Sequence, residues 1–355
     1  MVSNNYNHSE LARRERRSRQ GTDCRLLNQM PNTLAAAGAV VVSVAAIARE
    51  AEDILSFELV DPEGAPLPAF TAGAHVDVHL EGGLVRQYSL CNDPAERHSY
   101  RIAVLREPAG RGGSQAMHAV KAGDRLAISA PRNHFPLAGP EANFHRLLAG
   151  GIGVTPMMAM IHELEARQAD YLLRYCTRSP EKTAFRDRLA PRVKTGRVIL
   201  HHDGGDPAQG LDIADTLASF VPTEHVYICG PKGFMAAAKA ATGHWPPHCV
   251  HFEHFSAVEP TAAEAAWDAK PFQVKIKKTG EVIDVPADKS IVSALRDAGH
   301  DVETSCEEGI CGTCITRYVE GEPVHRDAVL SEDQRQSYVM ICRARSKSPL
   351  LVLDI

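Results

Sequence analysis

Three cysteines fall within nine residues, Cys306-Glu-Glu-Gly-Ile-Cys311-Gly-Thr-Cys314, and a fourth follows at Cys342. The spacing C-x4-C-x2-C with a distant fourth thiol is one that holds a [2Fe–2S] cluster, four thiolates on two irons. Gly309 and Gly312 lie between the ligands and let backbone N–H groups turn toward the sulfurs. Zinc is the competing metal, because Cys311 and Cys314 alone make a C-x2-C. A structural zinc site pairs one such unit with a second short one, and the sequence has none. The expected group is therefore a one-electron carrier. Glu307 and Glu308 within the loop read as a solvated surface, with steering of a basic partner as the alternative.

Two further motifs lie upstream. In Arg86-Gln-Tyr88-Ser89-Leu90, strand alternation puts Arg86, Tyr88 and Leu90 on one face and Ser89 on the other. Taken alone it is an ordinary strand with a surface arginine. Gly110-Arg111-Gly112-Gly113-Ser114 precedes a short helix, where free N–H groups, a hydroxyl and a guanidinium suit a phosphate. A plain glycine-rich turn is the alternative. Farther on, Gly150-Gly151-Ile-Gly153-Val-Thr155-Pro156 stands between a strand and a helix, and Cys229-Gly230-Pro231 closes a later strand. Glycines so placed let a dinucleotide pyrophosphate approach the backbone. His248, His251 and His254 recur every three residues, but on a strand such positions face opposite sides, so a shared metal is not expected.

The elements that must position these residues come in three styles. The chain of 355 residues, 44% hydrophobic and 23% charged, has room for two or three domains. Residues 1–36 read as a disordered tail: the basic run Arg13 to Arg19 and the apolar Leu34 to Ala48 look like a leader, but polar residues and Pro31 separate them. Residues 37–140 carry short strands at 40–44, 55–59, 75–80, 88–91, 101–105 and 125–129, with one helix at 114–120, as in an antiparallel barrel. Residues 141–257 alternate strand and helix, which implies a parallel sheet with its ligand at the carboxyl ends of the strands. Residues 258–270 form an Ala- and Glu-rich linker. Residues 271–355 give a hairpin turned at Thr279-Gly280, a helix capped by Ser290, the cysteine loop and a return strand, the order of a small β-grasp domain.

A net charge of -5 argues against nucleic acid as a partner, and no run of eighteen apolar residues could span a membrane. The five cysteines other than Cys306, Cys311, Cys314 and Cys342 (Cys24, Cys91, Cys176, Cys229, Cys249) are scattered and odd in number, which points to a reducing, cytoplasmic setting.

In this order the motifs resemble the phthalate dioxygenase reductase family, and the likeness covers nearly all the chain after residue 36. The resemblance implies a multidomain α/β and all-β fold: a Greek-key flavin barrel, a parallel α/β nucleotide-binding domain and a C-terminal β-grasp ferredoxin domain. It implies that Tyr88 and Leu90 lie at the flavin, that Ser89 bonds near its N5, and that Arg86, Arg111, Gly112, Gly113 and Ser114 receive its phosphate. FMN is implied over FAD. Gly151, Gly153, Thr155, Cys229 and Gly230 would border the pyridine nucleotide, and Glu253 or Phe255 the flavin ring. NADH is expected over NADPH, with Asp203 suited to a free ribose hydroxyl and Arg178 to a 2′-phosphate. Cys306, Cys311, Cys314 and Cys342 would ligate the cluster. The implied role is the reductase component of a two-component oxygenase, a monomer on its own, with electrons passing to a separate terminal oxygenase. Delivery to a cytochrome P450, a dehalogenase or a small acceptor is the alternative, and a redox sensor is a third possibility.

Overall fold

A computed structural model describes residues 39–257 and 259–355; the tail expected over residues 1–36, and Cys24 within it, lie outside the described residues. The first sheet is built from β1 (Val40–Ala51), β2 (Ile54–Val60), β3 (His75–His79), β4 (Val85–Ser89), β5 (Ser99–Leu105) and β6 (Arg125–Ile128), with helix α1 (Gly113–Ala119) before the last strand. The order β4-β3-β6-β1-β2-β5, antiparallel throughout, is a Greek key. Its two ends approach just past β4, where the Cys91 N–H donates to Arg101 O and the Arg101 N–H to Asn92 Oδ1. Alternation places Val42, Val44, Phe57, Leu59, Val76 and Val78 inside, all but dry.

The second sheet consists of β7 (Phe144–Gly150), β8 (Asp170–Thr177), β9 (Val198–His202), β10 (Glu224–Cys229) and β11 (Val250–Glu253). Between them run α2 (Val154–Ala166), α3 (Arg186–Lys194), α4 (Ile213–Thr216) and α5 (Lys232–Ala241). All its pairings are parallel and the order is β11-β10-β7-β8-β9. Every residue of β10 is buried, Glu224 and His225 included, as expected of a strand covered on both faces. One face shares a core with the barrel, where Phe135 packs edge-on against Tyr227; the other buries Leu148, Val226 and Ile228 under Met235 and Trp245.

After α6 (Ala262–Ala265), a single turn closed by a capping box on Thr261 and Glu264, comes the third sheet. It comprises β12 (Phe272–Ile276), β13 (Val282–Val285), β14 (Ile315–Glu320), β16 (Tyr338–Met340) and β18 (Leu350–Leu353) in the order β13-β12-β18-β14-β16, with β12 and β18 parallel and the rest antiparallel. Helix α7 (Ile291–Asp297), its first turn capped by the Ser290 hydroxyl, lays Ile291, Val292, Ala294 and Leu295 on this sheet. Helix α8 (Glu332–Arg335) and a separate two-stranded sheet, β15 (Pro323–Val324) against β17 (Arg345–Ser346), lie in the same segment. Cys314 and Cys342 belong to this core.

Candidate functional site

The cysteine loop joins α7 to β14. Cys311, Cys314 and Cys342 are buried and Cys306 is partly so. Backbone donors turn inward as the glycines require: the Glu308 N–H reaches Cys306 Sγ at 3.2 Å, the Cys306 N–H reaches Cys311 Sγ at 3.5 Å, and Thr313 Oγ1 stands 3.3 Å from Cys311 Sγ. The thiols associate as two pairs. A hydrogen bond from Cys306 pulls the Cys311 thiol down to about 5 and raises Cys306; a bond between Cys342 and Cys314 likewise lowers Cys314. Two thiol pairs among N–H donors offer four thiolates, the number and kind of ligand that two irons take. Gly312 adopts φ +77°, and a Cβ there would meet the His134 ring. Both acidic residues of the loop are ion-paired: Glu307 with Arg296 at 2.7 Å and Glu308 with Arg111 at 2.5 Å.

On the barrel, β4 places Arg86 and Tyr88 opposite Val78 and Val76, while Gln87 and Ser89 stand opposite Asp77 and His75 on the other face. Arg86 donates to the carbonyls of Val85 and Arg111 at 2.8 and 2.9 Å, which fastens β4 to the glycine-rich turn. That turn is tight, because a Cβ on Gly113 would fall 2.4 Å from Arg86 Nε. The Ser114 hydroxyl accepts from the Glu107 N–H at 3.0 Å and keeps its own hydrogen to donate. Ser89 Oγ is buried with no partner, and burial raises the pKa of the Tyr88 phenol. A buried hydroxyl without a partner is costly unless a ligand supplies one. An isoalloxazine nitrogen beside Ser89, with a phosphate at Gly112–Ser114, fits these groups. Leu90 is fully buried below them. The Arg111 side chain, expected at the phosphate, extends instead to Glu308 and is 64% exposed.

In the second sheet the chain runs outward from β7 to β8 and β9, then returns to β10 and β11 on the other side. The order reverses between β7 and β10, the point at which open parallel sheets bind ligands beyond the carboxyl ends of their strands. Gly150–Thr155 and Cys229–Gly230 meet there, with Ala149 and Cys229 in register. The two turns touch backbone to backbone: a Cβ on Gly153 would lie 2.3 Å from Cys229 O, and one on Gly230 3.1 Å from Gly150 Cα. Gly151 takes φ +53° over open space, and Thr155 Oγ1 donates to Ile152 O at 3.0 Å. Asp203 lies beyond the edge strand β9 and accepts from the Gly205 N–H at 2.8 Å; the Gly204 N–H bonds Arg178 O, so both candidates for the nucleotide ribose share one loop pair. Glu253 ends β11 beside Cys229, and burial pushes its carboxyl up to about 8. The Cys229 thiol is raised well above its ordinary value by burial, then by Glu253. Phe255, just beyond, is 40% exposed.

The histidines are distributed differently from their sequence spacing. His251 stacks between Tyr227 and His225, with His225 Nδ1 2.9 Å from His251 Nε2, while His248 sits in the preceding turn. Among the described residues no three or more His, Cys, Asp or Glu side chains stand together in the arrangement of a metal site. What sequence reasoning missed is a polar patch between barrel and cysteine loop: Asp77, Gln87, Arg132 and His134 against Ser305 and Gly312. Its only signal was Gln87, a polar residue on the Ser89 face of β4.

Comparison with known proteins places these features. A family described as 2Fe-2S iron-sulfur cluster binding domain matches residues 274–347, and one described as oxidoreductase NAD-binding domain matches residues 147–240. The reductase subunit of a tert-butanol monooxygenase / tert-amyl alcohol desaturase from Aquincola tertiaricarbonis is 50% identical over 311 residues, 85% of this chain and 92% of that protein. Phthalate dioxygenase reductase of Burkholderia cepacia is 44% identical over 90% of this chain and 98% of its own length. A solved structure of phthalate dioxygenase reductase, described as modular for electron transfer from pyridine nucleotides to [2Fe-2S], superposes with a TM-score of 0.66 over 90% of this chain and 98% of that one. An intact type IV self-sufficient cytochrome P450 monooxygenase, 36% identical, superposes with a TM-score of 0.83 over 94% of this chain and 44% of that one.

Proposed function

The chain belongs to the phthalate dioxygenase reductase family, and from that premise we propose that it takes hydride from NADH onto FMN and passes electrons singly through a [2Fe–2S] cluster to a separate terminal oxygenase. The observation that carries this reading is the seat of the cysteine loop: Ser305, next to Cys306, is bonded at 2.7 Å to Gln87, which lies between Arg86 and Tyr88. NADH gives two electrons at once, a cluster takes one, and a flavin supplies the exchange between the two. The protein needs no acid or base for this; its work is placement.

Arg86 and the N–H groups of Gly112, Gly113 and Ser114 would hold the flavin phosphate, with Tyr88 and Ser89 bordering the ring and Leu90, expected there too, packed instead in the core. Gly151, Gly153, Thr155, Cys229 and Gly230 would border the nicotinamide half at the switch point, and Asp203 the adenosine ribose, which favours NADH. Cys306, Cys311, Cys314 and Cys342 would ligate the cluster. The division into flavin (37–140), nucleotide (141–257), linker (258–270) and cluster (271–355) segments is supported by the extents of the three sheets. The residues that would hold all the carriers lie in one copy, which supports a monomer on its own. No helix of the described residues is long and apolar enough to cross a membrane; the free cysteines support a cytoplasmic setting.

The test is anaerobic mixing of the FMN- and cluster-loaded protein with NADH, then addition of candidate Rieske oxygenases. The expected result is flavin bleaching, then reduction of the cluster, then NADH-dependent product from one oxygenase. A flavin that NADH does not bleach would overturn the proposal. A second reading, delivery to a haem oxygenase, rests on the likeness to the self-sufficient cytochrome P450, and the same assay with P450 acceptors separates the two.

Glu253 gives the reaction a pH dependence. Its carboxyl is held neutral below about 8 by burial, so a negative charge appears at the ring's border as the pH rises through that value. Hydride arrival also makes the flavin more negative, and the two charges repel. NADH-driven bleaching is expected to slow above about pH 8, and Glu253→Gln, uncharged throughout, to remove that inflection. An inflection that persists in the variant assigns it to another group.

A further inference from the structure

We propose that Gln87 is a positioning residue that sets the cysteine loop in register with the flavin-bearing strand; the inference rests on the electron path proposed above. Observations on separate elements meet here. Gln87 Nε2 donates both to Asp77 Oδ1 at 2.9 Å and to Ser305 Oγ at 2.7 Å, two partners on different domains. Asp77 is itself fixed: it is buried on β3 and ion-paired with Arg132, whose backbone bonds that of His75 in both directions. Burial drives the Asp77 carboxyl up, and the Arg132 charge, with hydrogen bonds from Arg132, Gln87 and Ser305, more than reverses this, so it stays an anionic acceptor. The Gln87 amide is thereby oriented by the barrel before the loop arrives.

The loop contributes the other half. Ser305 precedes Cys306 directly, so a bond to its hydroxyl fixes the first ligand of the cluster. Two more contacts bracket the same pair of thiols: Arg111 to Glu308 at 2.5 Å, and the His134 ring over Gly312, beside Cys311. The exposed Arg111 pair contributes little stability, whereas Gln87 is half-buried and shares its donor with a buried carboxylate, the kind of bond that is costly to lose. Cys314 and Cys342 are held by the apolar core of their own domain and need no such brace. The barrel therefore grips the loop around Cys306 and Cys311, and Gln87 is the contact that strand β4 itself makes.

The test is stopped-flow mixing of the holoprotein with NADH under anaerobic conditions, reading flavin bleaching and cluster reduction separately, for Gln87→Leu, Ser305→Ala, Ser305→Thr and the double variant Gln87→Leu/Ser305→Ala. A displaced loop should slow electron transfer from flavin to cluster by about tenfold in Gln87→Leu and Ser305→Ala. Bleaching by NADH and the EPR signal of the reduced cluster should stay parental, and Ser305→Thr, which keeps the hydroxyl, should restore the rate. The double variant should be no slower than Ser305→Ala alone, because that change already removes every bond of the hydroxyl, the one from Gln87 included. An unchanged flavin-to-cluster rate in Gln87→Leu, additive losses in the double variant, or equal slowing of bleaching would overturn the assignment. If the parent itself shows no bleaching or no cluster reduction, it is the electron path that fails, not the positioning role.

Discussion

Cys311→Ser is expected to abolish NADH-driven reduction of cytochrome c while leaving NADH-driven reduction of ferricyanide close to parental. Cys311 is 1% exposed, and its sulfur stands within reach of the Cys306 N–H and the Thr313 hydroxyl, so it lies at the centre of the loop's donor set. Serine offers a hard oxygen where iron–sulfur chemistry uses soft thiolate, and the visible absorption of the cluster should fall with the activity. The flavin and nucleotide segments have a core that contains no cysteine of the loop, so hydride transfer survives, and ferricyanide can collect electrons from the flavin directly. Cluster binding also contributes to folding of its domain. Cys311 separates those effects better than Cys314 or Cys342, which are part of the apolar core of that domain. Cytochrome c reduction that persists in a variant lacking the cluster would show that electrons leave from the flavin.

Local chemistry was legible where the physical requirement is itself local. The loop Cys306–Cys314 must fold around its ligand within nine residues, and a glycine turn between strand and helix sets its own geometry. Elements whose support is distant were harder to see. β1 was expected to span only 40–44; Ala45-Ala-Ile-Ala-Arg-Glu-Ala51 is made largely of good helix formers, yet pairing with β2 holds it extended to Ala51. Helix α3 escaped notice because it buries only Leu189 and contains Pro191, so its apolar period is faint. Arg111 illustrates a different limit. A flavin phosphate and the Glu308 carboxylate are both anions, and nothing in Gly-Arg-Gly-Gly-Ser selects between a ligand and a residue of another domain. The Gln87–Ser305 bond spans 218 positions and follows from how two domains dock, which no local pattern encodes.

The nucleotide site yields the other large effect, through Gly153→Ala. Gly153 has φ -62° and ψ -3°, values alanine adopts without strain, so the backbone conformation itself is no obstacle. The obstacle is the methyl group, which would lie 2.3 Å from Cys229 O and 2.8 Å from Gly230 N. Both are backbone atoms in a turn anchored by the fully buried strand β10, so one of the two turns at the switch point must move. Overpacking of this kind costs roughly 1–3 kcal/mol of stability. The larger consequence is for hydride transfer, because a shift of about 1 Å in a reacting partner can lower a rate by about a hundredfold. NADH should therefore bleach the flavin slowly or not at all, while dithionite reduces flavin and cluster as in the parent. Gly233→Ala supplies the control: it sits in α5, its Cβ would meet nothing within 4 Å, and alanine favours the helix. Parental bleaching by the Gly153→Ala protein would mean that the contact between the turns does not set the nicotinamide position. Slow bleaching with unaltered dithionite reduction would place the entry of hydride where β7 and β10 part, with Cys229 and Gly230 as its floor.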